Sequence, residues 1–139
     1  MIAAYFFYIK ILVSAIASFL FGWLWYGPLF GKKWMKLMSS GFNKKSISSV
    51  KIKPTTAMVL GFLSTVLTAY ILSLFINSLR AVTITEGLWI GFWLWLGFIA
   101  TTTLGTVLWE NKPVKLYFLN NIYYLLSLEI MAVILSIWR

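Results

Sequence analysis

The side chains that could take part in chemistry are few in this sequence. Glu86, Glu110 and Glu129 are its only acidic residues, and it contains neither histidine nor cysteine. Histidine is the commonest general acid or base, and imidazole and thiolate groups are the usual protein ligands of zinc, copper and haem iron. Three isolated glutamates are a poor basis for catalysis. We therefore expect a protein that is not an enzyme and that holds no metal or other cofactor.

Long apolar segments are the elements that must position these glutamates. Of the 139 residues, 61% are hydrophobic and only 11% are charged, whereas soluble domains have about 25% charged residues. Four apolar runs lie at about residues 3–26, 56–79, 87–108 and 116–138. Each is long enough for a helix to cross the ~30 Å hydrocarbon core of a bilayer. The sequence predicts an all-α membrane protein, a bundle of four transmembrane helices that forms a single domain over residues 1–139.

The basic residues predict how the bundle is oriented. One side carries only Lys10, Arg80 and Arg139, whereas the loops after the first and third runs carry nine lysines. These nine are Lys32, Lys33, Lys36, Lys44, Lys45, Lys51, Lys53, Lys112 and Lys115. Because basic residues concentrate on the cytoplasmic side, we expect a multi-pass protein of the inner or plasma membrane with loop 31–55 in the cytoplasm and both termini outside. This placement accounts for the net charge of +9 without nucleic-acid binding.

The basic loop at residues 31–55 begins with an amphipathic pattern. Trp34, Leu37 and Met38 share one face of a helix, and Lys33 and Lys36 lie on the opposite face together with Ser40. A helix of this kind lies flat on anionic lipid headgroups. The sequence therefore predicts a short interfacial helix after the first span, with anionic lipids of the bilayer as its partner.

Small residues recur at four-residue steps on three of the spans. They are Ser14, Ser18 and Gly22 on the first, Ala57 and Gly61 on the second, and Gly87 and Gly91 on the third. In lipid the hydrophobic effect does not press helices together, so spans associate through close packing at small residues and through polar contacts. We expect these faces to be buried in the bundle or in a homo-oligomer.

Hydroxyl side chains form stripes on two spans. The second span carries Gly61, Ser64, Thr65 and Thr68, and the third carries Thr102 with Thr106, or Thr103 with Thr106 and Glu110. Such stripes either make hydrogen bonds between helices or line a polar path. Before the third span, Thr83 and Glu86 have the spacing of a capping box, which predicts a structural role for Glu86.

Glu129 is the charge that most needs an explanation. It lies near the middle of the fourth span, where an ionised carboxylate costs a few kcal/mol, so we expect it to be protonated, paired or turned into the bundle. Lys10 is its predicted partner, and Asn121 lies two four-residue steps before it on the same stripe. Three interpretations stay open for Glu129: a pair or hydrogen bond that fixes helix register, a proton or cation site, and a protonated glutamate bound to a lipid or polar ligand.

Two compact motifs mark the ends of the first and third spans. The first is the unbroken run of residues 22–35, GWLWYGPLFGKKWM, which contains the interface motif Trp25, Tyr26, Gly27, Pro28, Gly31 and Trp34. Trp25 and Tyr26 are expected to anchor the helix at the membrane surface, and Pro28 is expected to break it. The second is WENKP at 109–113, followed by Leu116, Tyr117, Asn120, Asn121, Tyr123 and Tyr124.

Together these motifs resemble those of the family filed as domain of unknown function 1761. The resemblance covers both helical hairpins, and it implies a small prokaryotic membrane protein with four helices and no assigned activity. If the two motifs pack side by side, Glu110, Asn111, Asn120 and Lys32 are predicted to form a cluster at the cytoplasmic end; the alternative is a surface ion pair.

The function most consistent with these features is that of a binding or structural membrane protein. The scarcity of ionisable groups and the small-residue faces favour a protein that acts as an oligomer or as an accessory subunit of a larger membrane complex. The alternative is a small transporter or channel for a proton, cation or small solute that uses Glu129. A water-accessible cavity that reaches Glu129 would distinguish the two.

Overall fold

Four long apolar helices make up most of the molecule. The computed structural model describes residues 2–40 and 52–138. Helix α1 covers Ile2–Leu24 and continues as a π-helix over Trp25–Leu29, and the short helix α2 follows at Gly31–Ser40. Helix α3 covers Pro54–Ser78, α4 covers Ile84–Leu108 and α5 covers Val114–Ile137. The prediction of an all-α bundle with four membrane-spanning helices and a short helix after the first is confirmed.

Local sequence signals account for where these helices begin and end. Pro54 lies in the first turn of α3, where its missing N–H is not needed. The hydroxyl oxygen of Thr83 accepts a hydrogen bond from the backbone N–H of Glu86 (3.2 Å), and the hydroxyl of Thr83 donates to the carboxylate of Glu86 (2.9 Å). The predicted capping box is confirmed, and it starts α4 at Ile84, three residues before the predicted start of the third span.

Helix α4 is irregular in its middle. It is α-helical over Ile84–Leu94, π-helical over Trp95–Ala100, and α-helical again over Thr101–Thr103 and Gly105–Leu108. The three consecutive threonines each donate a hydrogen bond to a carbonyl oxygen one turn back, in the π-helical segment. Hydroxyl groups that bond the preceding turn in this way bend helices.

Helix α5 is the centre of the bundle because it packs against α1, α3 and α4. It runs antiparallel to α1: the hydroxyl groups of Ser18 and Ser127 contact each other, and Tyr26 lies opposite Asn120. Helices α3 and α4 are joined by a short turn but contact each other only weakly. Helices α3 and α4 are therefore separated by a gap, and α5 lies beneath this gap.

The small-residue faces of α1 and α4 are buried, whereas that of α3 is exposed. Ser14 and Ser18 are fully buried on α1, and Gly87 and Gly91 are buried where α4 meets α5. A Cβ atom at Gly87 would lie 2.9 Å from the carbonyl oxygen of Ala132, so only glycine allows this approach. Gly61 on α3 is exposed, with nothing within 4 Å of the position of its missing Cβ.

We call the two ends of the bundle the signature end, where residues 26–34 and 109–113 lie, and the turn end, where residues 79–83 join α3 to α4. Arg80 closes α3 in the left-handed conformation, with a φ of 56°, and the N–H of Ala81 donates to the carbonyl oxygen of Ile76. Lys44, Lys45 and Lys51 of the basic loop at residues 31–55 lie outside the described residues.

Candidate functional site

The two sequence motifs meet at the signature end. The hydroxyl of Tyr26 donates a hydrogen bond to Oδ1 of Asn120 (2.7 Å), and the rings of Tyr26 and Tyr123 pack edge to face with centroids 4.9 Å apart. Trp34 of α2 packs against the other side of Tyr26, at 5.7 Å. Residues of the two motifs are therefore in contact at Tyr26, Asn120 and Tyr123.

Trp25 requires a correction, because it is a packing residue and not a surface anchor. It is only 8% exposed, and its ring contacts Phe21, Phe30 and Tyr123. The helix does not break at Pro28; the N–H of Phe30 still bonds the carbonyl oxygen of Trp25, five residues back. The π-helical turn continues the helix to Leu29 and keeps Trp25 among the aromatic rings. Gly27 and Pro28 are exposed on this turn, and Gly31 begins α2.

The predicted cluster of Glu110, Asn111, Asn120 and Lys32 also requires a correction. Only Asn120 is turned into the bundle, whereas the other three are exposed. Asn111 takes the left-handed conformation that reverses the chain, with a φ of 54°. This turn directs Lys112 toward Asn120, so the basic residue of the assembled site is Lys112 instead of Lys32.

A cavity that we call the vestibule lies where the motifs meet. Its volume is about 330 Å³, and its walls come from α1, α2, α5 and the 109–113 turn. The lining residues are Tyr26, Trp34, Met38, Lys112, Asn120, Tyr123 and Tyr124. The vestibule thus combines one cation with aromatic rings and hydrogen-bonding groups.

A second cavity, the hydroxyl cavity, continues from the vestibule into the bundle. Its volume is about 190 Å³, and it shares Tyr123 and Tyr124 with the vestibule. The remaining lining residues are Ser18, Ser64, Thr65, Thr68, Ile99, Ser127, Leu128 and Met131. The hydroxyl groups of Thr65 and Thr68 donate to carbonyl oxygens of their own helix, so their oxygen lone pairs are left to accept hydrogen bonds. Of the two roles open for the α3 stripe, lining a polar space is the one that this geometry supports.

The hydroxyl cavity ends in an apolar groove between α3 and α4. This groove of about 310 Å³ shares Thr68, Ile99 and Leu128 with the hydroxyl cavity. Its other walls are Leu67, Ile71, Leu72, Phe75, Leu94 and Phe98. Several of these side chains are exposed on the apolar surface of the bundle, so the groove opens toward the bilayer.

Asn121 is part of the joint between α4 and α5. It is 3% exposed, and its amide nitrogen donates to Oγ1 of Thr103 (3.0 Å) and to the carbonyl oxygen of Tyr117 (3.1 Å). The indole of Trp95 donates to the backbone oxygen of Asn121 (3.0 Å), and the hydroxyl of Tyr117 donates to the carbonyl oxygen of Ala100 (2.7 Å). These bonds surround the π-helical segment of α4, so Asn121 holds this segment against α5.

The side chains of Glu129 and Lys10 lie at different depths and beside different helices. Ser18 lies opposite Ser127, so at ~1.5 Å per residue Lys10 is displaced by ~9 Å in depth from Glu129. The Lys10 ammonium group lies 5.5 Å from the ring centroid of Phe7 on its own helix. The carboxylate of Glu129 instead packs against Gly91 of α4. Among the described residues, Oε1 of Glu129 is buried without a hydrogen-bond partner, and the predicted pair with Lys10 is not formed.

Glu129 lies in a groove of its own, which we call the carboxylate groove. It has a volume of about 380 Å³ and is lined by Thr85, Leu88, Trp89, Phe92 and Glu129. None of these residues lines the vestibule, the hydroxyl cavity or the apolar groove. The carboxylate groove is therefore separate from the three adjoining spaces that begin at the signature end.

Sequence reasoning missed several residues of these sites. Tyr123, Tyr124 and Lys112 belong to the second motif but were not among the predicted site residues. For the two tyrosines, the available signal was that they follow each other within an apolar helix. Gly91 was expected to pack, but nothing in the sequence linked it to Glu129. That pairing depends on how α4 and α5 are aligned.

Comparison with known proteins places the chain in a family. A family model described as a protein of unknown function, DUF1761, matches residues 9–136. No curated protein and no solved structure matches the chain. The match includes both motifs and both candidate sites, and it overlaps all four spans. The chain therefore belongs to the DUF1761 family of proteins of unknown function.

Proposed function

We propose that this protein is a non-enzymatic membrane protein that binds one anionic phospholipid, with its headgroup at the vestibule and an acyl chain between α3, α4 and α5. The observation that carries the proposal is the series of adjoining spaces that begins at the signature end. The hydroxyl cavity shares lining residues with the vestibule and, separately, with the apolar groove, so one elongated molecule can extend through all three.

The order of the chemical groups along this series matches that of a phospholipid. The Lys112 ammonium group and the amide N–H groups of Asn120 suit a phosphate group, and Tyr26 orients this amide by donating to its Oδ1 atom. The hydroxyl of Ser64 in the hydroxyl cavity can donate to an ester oxygen, and the apolar groove suits an acyl chain. A lipid reaches such a groove from the bilayer, because α3 and α4 separate on the lipid-facing side.

The positive charge at the vestibule end favours a lipid with a negatively charged headgroup. The exposed lysines Lys32 and Lys33 of α2 surround the vestibule end with positive charge, and Lys112 lies at the vestibule itself. Each basic residue near a membrane surface contributes about 1 kcal/mol toward anionic lipid. With the nine-lysine side in the cytoplasm, as the sequence predicts, the bound headgroup belongs to the cytoplasmic leaflet.

The protein is further proposed to act as an oligomer or as an accessory subunit of a larger membrane complex. The exposed small-residue face at Ala57 and Gly61 on α3 supports this, because a second helix can approach closely there. A lipid held beside this face would stabilise the assembled form.

Lipid binding is tested by native mass spectrometry of the full chain in neutral detergent containing equal amounts of phosphatidylglycerol and phosphatidylcholine. We expect one phosphatidylglycerol to be retained preferentially. In Ser64→Phe the ring fills the hydroxyl cavity, and we expect retention to fall about tenfold. Lys112→Gln removes the cation at the vestibule, and we expect about a fivefold loss.

The matched controls separate the cavity from the surface. Ser78→Phe makes the same change at an exposed position of α3 that lines none of the three spaces, and Arg80→Gln removes an exposed basic residue at the turn end, far from the vestibule. Both should retain lipid like the wild type. Equal retention of the two lipids, or equal losses in Ser64→Phe and Ser78→Phe, would contradict the proposed site.

Transport is the second candidate function, and the unpartnered carboxylate oxygen of Glu129 favours it. Flux and proton uptake in proteoliposomes are compared for the wild type and Glu129→Gln, with crosslinking in the same membranes to report the oligomeric state. A transporter is expected to lose flux in Glu129→Gln while remaining folded. Absence of flux in the wild type would argue against transport.

A further inference from the structure

The proposed lipid site leaves Glu129 without a role. Its Oε1 atom is buried and has no hydrogen-bond partner among the described residues, although it lies within an apolar membrane span. Gly91 lacks a side chain where the carboxylate packs, since a Cβ there would overlap Oε1. The carboxylate is thus accommodated by α4 but not satisfied by it. A buried acceptor of this kind is costly unless a ligand completes it.

The walls of the carboxylate groove are apolar and aromatic. Trp89 and Phe92 lie on α4 beside Glu129, and Trp89 stacks on Trp93 with centroids 6.1 Å apart and planes 14° from parallel. Trp89 remains 57% exposed despite this contact. Thr85, in the first turn of α4, lines the other part of the groove. Thr85 and Phe92 are seven residues apart, so the groove extends ~10 Å inward from the turn end.

This combination of groups discriminates among cations. Aromatic faces and a carboxylate both attract positive charge, and they do so more strongly where water is excluded. A strongly hydrated ion such as Na⁺ or an ammonium group would lose its water shell here and find a single carboxylate in return. An organic cation whose charge is surrounded by hydrocarbon or aromatic groups has little hydration to lose, and its apolar surface matches the walls.

We propose that the carboxylate groove binds a hydrophobic organic cation, of the quaternary ammonium or phosphonium class, with Glu129 as the counter-ion and Trp89 and Phe92 as its aromatic walls. No lysine or arginine lines the groove, and Lys10 lies on the α1 side of the bundle. The site is separate from the lipid site and has the opposite charge preference. Binding here does not depend on the proposed function.

The probe is tetraphenylphosphonium, titrated by isothermal calorimetry into the full chain purified in neutral detergent. Tetraphenylborate has the same shape and the opposite charge. We expect the wild type to bind the phosphonium and not the borate. Glu129→Gln keeps the side-chain shape and removes the charge, and it should weaken phosphonium binding at least tenfold. Trp89→Leu should weaken it several-fold, because the aromatic face is lost while apolar bulk is kept.

Two controls match these variants. Glu86→Gln makes the same charge change near the same end of the bundle. Glu86 does not line the groove, and a glutamine at this position can preserve the helix cap. Trp109→Leu makes the same aromatic change at an exposed residue of the signature end. Both should bind like the wild type, and size-exclusion chromatography reports whether each variant remains folded.

The outcomes decide the proposal. Loss of phosphonium binding in folded Glu129→Gln and Trp89→Leu, with both controls intact, supports it. No phosphonium binding by the wild type overturns it, as does equal binding of phosphonium and borate or undiminished binding by Glu129→Gln. A wild-type dimer that binds no phosphonium and becomes a monomer in Glu129→Gln also overturns it, because the groove is then an interface between two copies of the chain.

Discussion

Gly87→Ala is expected to force α4 away from α5 and to lower the free energy of unfolding by about 2 kcal/mol. The added Cβ would lie 2.9 Å from the carbonyl oxygen of Ala132 and 3.1 Å from Cβ of Ser136. The first of these atoms belongs to the backbone of α5, so it can move only if the helix moves. Unfolding in detergent micelles, followed by circular dichroism against added denaturing detergent, measures the loss.

Gly61→Ala is the matched control for this variant. Gly61 is exposed within α3, and nothing lies within 4 Å of the position of its Cβ. Alanine has the higher helix propensity, so Gly61→Ala should leave stability unchanged or raise it slightly. If both variants lose the same stability, the close approach of α4 to α5 is not what Gly87 provides.

Asn121→Ala is expected to destabilise the joint between α4 and α5 by about 2 kcal/mol, because it removes the side-chain hydrogen bonds of Asn121 and leaves a cavity in a buried position. The amide nitrogen loses its bonds to Thr103 Oγ1 and to the Tyr117 carbonyl oxygen, and Oδ1 loses its contact with the Thr103 hydroxyl. The same unfolding measurement gives the change, and hydrogen exchange in α4 should increase around the π-helical segment that Trp95 begins.

Asn77→Ala removes the same atoms from an exposed position of α3 and should change stability by less than about 0.5 kcal/mol. A wild-type-like unfolding midpoint for Asn121→Ala would show that the Asn121 bonds contribute little. A double variant with Thr103→Val then separates the side-chain bond from the rest, since bonded residues lose less together than the sum of their separate losses.

The membrane environment explains why sequence reasoning placed the helices well and their faces less well. In a soluble bundle the polar side of a helix shows which side is buried, but a span is apolar both toward lipid and toward its neighbours. Trp25 illustrates the consequence. Its position near the end of a span is typical of a surface anchor, yet the π-helical turn places it among Phe21, Phe30 and Tyr123.

Lys10 and Glu129 show the same limit for a polar pair. Both lie in apolar spans, and depth alone made them plausible partners. Depth does not specify direction, however, and Glu129 is turned to Gly91 of α4 while Lys10 lies beside Phe7 of α1. Thr65 and Thr68 are a related case, because their hydroxyl groups bond their own helix and only their position relative to α5 makes them line a cavity.

The sequence by itself determined the number of spans, the interfacial helix, the capping box at Thr83 and the family motifs. These features depend on the length of an apolar run or on residues close together in the chain, so local physical rules suffice. Only the tertiary structure decided that Lys112 joins Asn120 at the vestibule, that α3 and α4 separate over a lined groove, and that Glu129 lies against Gly91. Those contacts depend on how far each helix is rotated and shifted against the next, and packing across the whole bundle sets that alignment.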